Sequence, residues 1–96
     1  MILSERRTER GLLVTVCDPA VLGETFEDDG ISLAVTEDFY GGETVETEAV
    51  VDALSRASIA NLVGTETVEL AIEEGFVDES NVLEVEQTLH AQYLQL

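Results

Sequence analysis

The chain has 96 residues, four arginines, no lysine and 21 acids, giving a formal charge of −17 at neutral pH. That length allows one domain, expected over residues 1–96, with a modest core that needs no disulfide or metal staple. With 45% apolar residues it is not a disordered tail, and no apolar run approaches the ~20 residues of a membrane span.

In chain order, residues 2–8 and 11–17 read as two strands joined by the polar turn Glu9-Arg10-Gly11. The second, Gly11-Leu-Leu-Val-Thr-Val-Cys17, is apolar on both faces and therefore central. Asp18 is a good N-cap, Pro19 fits a first helical position and Gly23 suits the residue after the end, so residues 19–22 form at most one helical turn. Phe26 is an isolated apolar anchor before the turn Asp28-Asp29-Gly30. Ile31, Leu33 and Val35 alternate with Ser32, Ala34 and Thr36 as in a half-buried strand, and Phe39-Tyr40-Gly41-Gly42 closes that strand or its trailing loop.

Residues 47–60 carry the clearest helical stripe (Ala49, Val50, Ala53, Leu54, Ala57), with Thr47 as cap, an Asp52/Arg56 pair, and Asn61 and Gly64 as exits. A second helix is expected near 66–74, with Thr65 as cap and Gly75 as stop. Short strands follow near 82–86 and 90–95. The order implies an α+β domain, a small mostly antiparallel sheet with two helices packed on one face.

The charge fits a nucleic-acid mimic, a cation-binding surface or life in a salty cytoplasm. A mimic or a specific cation site clusters its acids. Here they run from Glu5 to Glu86 with no stretch longer than Glu27-Asp28-Asp29. Lysine is absent and large aromatics are few, with three Phe, two Tyr and no Trp. This is the haloarchaeal pattern, in which molar salt shortens the Debye length to ~3 Å and screens acid–acid repulsion. Glu73 and Glu74 before Gly75 agree with it: a helix C-terminus prefers cations by ~0.3–1 kcal/mol at low ionic strength. The N-terminus, Met1-Ile2-Leu3-Ser4-Glu5-Arg6-Arg7, lacks a signal peptide's apolar core. The expected location is the cytoplasm.

Cys17 and His90 are single residues of their types, and a Cys–His dyad is the most reactive pairing the chain offers. The competing explanations are a buried apolar thiol and a structural imidazole. Gly41-Gly42 before a helix invites a phosphate loop, but no lysine follows and Glu43, Glu46 and Glu48 crowd the helix start. A tight turn requiring positive φ explains the pair better. Glu24, Glu27, Asp28 and Asp29 lack the order of a calcium loop, so neither a metal nor a cofactor is assigned. Arg6, Arg7 and Arg10 are the concentrated cations; residues 6 and 10 share a strand face that 7 opposes, so no broad basic patch forms.

The chain resembles a small archaeal family catalogued as domain of unknown function 424. The resemblance rests on Arg7-Thr8-Glu9-Arg10-Gly11, Val16-Cys17-Asp18, Leu22-Gly23, Phe39-Tyr40-Gly41-Gly42, Ala60-Asn61-Leu62-Val63-Gly64, Asn81-Val82-Leu83 and His90-Ala91-Gln92. It implies an archaeal cytoplasmic protein, names no activity, and draws attention to Cys17, Asp18, Tyr40, Gly41, Gly42, Asn61, Gly64, His90 and Gln92. The glycines, Asn61 and Asp18 have backbone explanations as turns and caps. Tyr40, His90 and Gln92 have none.

These readings converge on a non-enzymatic binding or adaptor module with a protein or RNA partner. Its surface is expected around Tyr40, Gly41, Gly42, Asn61, His90 and Gln92. The alternative is a small enzyme using Cys17 and His90.

Overall fold

The computed structural model describes residues 1–95. β1 (Ile2–Thr8) and β2 (Gly11–Cys17) pair antiparallel from Ile2 opposite Cys17 to Thr8 opposite Gly11. A single 3-10 turn, Pro19–Val21, leads to a separate hairpin of β3 (Thr25–Asp28) and β4 (Ile31–Ala34). Asp29 (φ 48°) and Gly30 (φ 80°) supply the two left-handed positions of its turn, the geometry that matches strand twist. Phe26 is thus a strand residue rather than an isolated anchor.

The Thr36 hydroxyl accepts from Phe39 N–H at 3.3 Å and starts α1 (Glu37–Tyr40), a single helical turn where the end of a strand or its trailing loop was expected. β5 (Glu43–Thr44), α2 (Thr47–Arg56), β6 (Ile59–Val63) and α3 (Thr65–Glu73) follow. After a second 3-10 turn, Glu79–Asn81, the chain closes with β7 (Leu83–Val85) and β8 (Thr88–Leu94).

Among the described residues, six strands make one sheet in the order β5-β1-β2-β6-β8-β7. In it β2 and β6 run parallel and the other neighbours are antiparallel. The class is the expected one, α+β with a mostly antiparallel sheet. Residues paired in register share a face and alternate along each strand, so the pairings define two faces.

On one face Leu3, Leu12, Val14, Val16, Ala60, Leu62 and Ala91 meet Val50, Ala53, Leu54 and Ala57 of α2 and its exit, and Val68 and Ala71 of α3. On the other face Ile2, Cys17 and Val63 pack against Val35 and Tyr40, flanked by Phe26, Leu33 and Phe39. The two long helices therefore cover one face, while α1 and the β3–β4 hairpin cover part of the other.

The main departure from expectation lies at residues 57–63. The helical stripe runs into Ala57, but α2 ends at Arg56: Ala57 is extended (φ −68°, ψ 138°) and Ser58 N–H donates to Leu12 O at 2.8 Å. The next five residues form β6 in the middle of the sheet. Asn61 is thus a mid-strand residue opposite Thr15 and Gln92, not a helix exit.

Candidate functional site

The register sorts the expected site residues. Cys17 lies opposite Val63, and Val63 opposite His90. All three share a face, but β6 separates the first from the third. With neighbouring strands ~4.8 Å apart, the Cys17 and His90 backbones stand about 10 Å from each other. Cys17 is wholly buried. Burial first, then the Asp18 charge, pushes its thiol up to about 11. A nucleophile needs the reverse, an accessible thiol with a depressed pKa.

His90 Nδ1 lies 2.9 Å from Leu62 O. A carbonyl only accepts, so Nδ1 donates in this contact. The imidazole is held by backbone, not by the thiol.

Tyr40, expected at the surface, is 4% exposed. It packs edge-on to Phe39 with ring centroids 5.0 Å apart. Burial, and secondarily the nearby Cys17, raises its phenol to about 12. It is a core residue, which corrects the expectation that it lacks a structural duty.

Gly41 and Gly42 are structural for a reason other than the one expected. Neither has a positive φ. A Cβ on Gly41 would strike Glu37 O, the acceptor of Gly41 N–H at 2.8 Å, and one on Gly42 would strike Leu3 O. Close backbone approach, not left-handed geometry, demands glycine here.

Asp18 also differs from expectation. It makes no side-chain cap on the turn that follows it. Its carboxylate instead accepts from Glu66 N–H (3.1 Å), Thr67 N–H (2.9 Å) and Thr67 Oγ1 (2.7 Å), capping α3 from the end of the neighbouring strand β2. Gly64 makes room: at φ 116°, its Cβ would fall on the Asp18 carboxyl group. Thr65, expected as the cap, is the first helical residue.

Three of the expected residues do come together. Asn61 is the register partner of Gln92, and His90 lies two positions along β8 on the same face. The row beyond is Leu13, Ile59 and Leu94. Neither α1 nor the β3–β4 hairpin closes over this end: Gln92 is exposed and Leu94 is 74% exposed. Leu94 and Ile59 were missed, although the period of two along β8 aligns Leu94 with Gln92.

The patch is also free of acid. No Asp or Glu occurs in residues 10–17, 53–65 or 87–96, the stretches that hold β2, β6 and β8. By contrast, a cleft of about 510 Å³ beside α3 and β7 carries Glu69, Glu73, Glu79 and Glu84, part of the general acid coat. Of the clustered arginines, Arg6 is engaged: it donates to Asp38 O and Phe39 O and lies 5.7 Å from the Phe39 ring centroid. Arg7 sits on the opposite face, opposite Leu12.

The family described as "Protein of unknown function (DUF424)" matches residues 5–96. The chain belongs to this family. The fold of this DUF424 chain is also that of the crystal structure of an uncharacterized conserved protein from Methanopyrus kandleri. The two agree with a TM-score of 0.78 at 21% identity, over 96% of this chain and 88% of that one. At that identity the likeness concerns the fold alone. No curated protein matches the chain. Among the described residues, no helix is long and apolar enough to cross a membrane.

Proposed function

We propose that this DUF424 chain is a non-enzymatic binding module of a salt-rich archaeal cytoplasm, which docks a protein on the open sheet face around Asn61, His90 and Gln92. The observation that carries the reading is the pairing of Asn61 with Gln92 in an acid-free patch of an otherwise acidic surface. Two adjacent amides offer donors and acceptors without charge, and Ile59 and Leu94 add apolar area beside them. The Nε2 edge of His90 adds one more polar group.

A protein fits this patch better than RNA. Single-stranded RNA is held by stacking on aromatic rings and by cations on its phosphates. Among the described residues the strands of the main sheet place no Phe, Tyr or Trp on this face, its one aromatic ring, His90, is tied to Leu62 O, and Arg6 is committed to α1. The salt-rich setting rests on the dispersed acids, the absence of lysine and the lack of a basic residue in the last turn of α3.

The test is affinity capture with crosslinking from a halophilic archaeal lysate in molar KCl, comparing wild type with an Asn61→Ala/Gln92→Ala double variant. Loss of specific partners from the variant supports the assignment. An unchanged capture profile removes this face as the docking surface.

A further inference from the structure

We infer that the chain forms a two-fold dimer in which β8 pairs antiparallel with the β8 of a second copy. This inference does not depend on the docking reading above.

The backbone of β8 shows which groups are free. Leu89 O accepts from Gly64 N–H at 2.9 Å and Gln95 N–H donates to Ser58 O at 2.8 Å, so odd-numbered residues turn toward β6. Residues 88, 90, 92 and 94 therefore turn outward. β7 pairs with Thr88 through His90 and ends there. The outward N–H and C=O of Gln92 and Leu94 have no hydrogen-bond partner among the described residues.

The two edges of the sheet are treated differently. On the β1 side, β5 pairs only with Ile2 and Leu3. The rest of that edge carries Glu5, Arg6 and Arg7, and charges of this kind discourage strand addition. On the β8 side, Ala91-Gln92-Tyr93-Leu94-Gln95 has no charge and no proline, and its Leu94 side chain is 74% exposed. An open edge with an apolar side chain is a template for another strand. One edge is guarded and the other is left to pair.

A second copy is the occupant that the charge pattern selects. Across a two-fold axis a surface meets itself, so any net charge on it meets its like. In a chain with 21 acids, the ten residues from Gln87 to Leu96 carry none. A partner of opposite charge would call for charges along this strip. The outward groups also complement themselves. With the axis beside Tyr93, Gln92 of one copy faces Leu94 of the other, and each pair exchanges N–H···O bonds in both directions. The pairing joins two sheets into one and sets the amide rows of both copies side by side on a common face.

Sedimentation equilibrium of the purified full chain in molar KCl tests this. The expected mass is twice the 10.4 kDa of one chain. Gln92→Pro removes an outward donor and leaves the bonds to β6 intact, and Leu94→Glu sets like charges across the axis at an exposed site. Either variant is expected to sediment as one chain with the circular dichroism of wild type. Leu94→Glu, which alters no backbone group, keeps the test decisive if the proline disturbs folding. Wild type sedimenting as a single chain at every accessible concentration overturns the inference, as does a dimer insensitive to Leu94→Glu.

Discussion

Asp18 ties together two segments that are 48 and 49 residues apart, through the N–H groups of Glu66 and Thr67. A helix start leaves its first N–H groups unpaired, and α3 has Gly64 where a capping side chain would stand. The carboxylate takes over that duty. Asp18→Ala is expected to lower unfolding free energy by about 2 kcal/mol, the scale of a lost cap with charge-assisted bonds. Gly64→Ala is expected to cost about 1–3 kcal/mol because its left-handed φ and the carboxyl group both oppose a Cβ. The double variant should lose less than the sum, because removing the carboxylate also removes one of the two clashes. Denaturant unfolding in molar salt measures all three.

Cys17 supplies a second residue-scale test. Its thiol is raised from 9.0 to about 11 and the Tyr40 phenol from 10.0 to about 12. Both groups hold their protons more tightly folded than unfolded. Their contribution is therefore complete below the unfolded values and lost as pH rises through the folded ones. Stability should fall between about pH 9 and 12, and Cys17→Ser should flatten the lower part of that fall. A thiol reagent at pH 8 should label Cys17 only at the rate of unfolding.

At the scale of elements, the strands of the first hairpin were legible because branched residues and a polar turn agree on one answer. β6 was not, because Ala57 extends the stripe of α2 by one position and Asn61 looks like a cap. Tertiary context decides there: Ser58 N–H goes to Leu12 O, and Ala60 and Leu62 alternate into the core between β2 and β8. Leu62 is wholly buried, so Leu62→Ala is expected to cost about 2–5 kcal/mol. The end of α3 offers a charge test, since Glu73 closes it with no basic residue in the last turn. Glu73→Lys should stabilise the fold by about 0.3–1 kcal/mol at low salt and by almost nothing in molar salt. Thermal melts of both proteins in both buffers read the difference.

For the whole molecule, the charge of −17 predicts a salt-dependent fold. Self-repulsion that is screened in molar KCl returns on dilution. Circular dichroism should show a cooperative native state in molar salt and loss of structure, or a markedly lower melting temperature, after dialysis to low salt. Equal stability in the two conditions would count against the salt-adapted reading. The same coat of acids makes its gaps informative. Two gaps lie in β2 and β6, which are flanked on both sides. The third lies in β8, whose far edge is open beyond β7.

Sequence alone determined the class of fold, the first hairpin, the existence of two amphipathic helices and the dispersed acidity. These follow from local periodicity and composition, which need no knowledge of distant neighbours. Tertiary structure decided which side chains serve the fold and which stay open. Tyr40, Gly42 and Asp18 became packing, approach and capping residues through partners far along the chain, and Gly41 became an approach residue only because the chain turns through α1. Asn61, His90 and Gln92 became one surface because strand register, set by β6, aligned them. That register joins Asn61 to Thr15 on one side and to Gln92 on the other, and the alternation along a single strand shows which residues share a face but not which distant segment lies opposite.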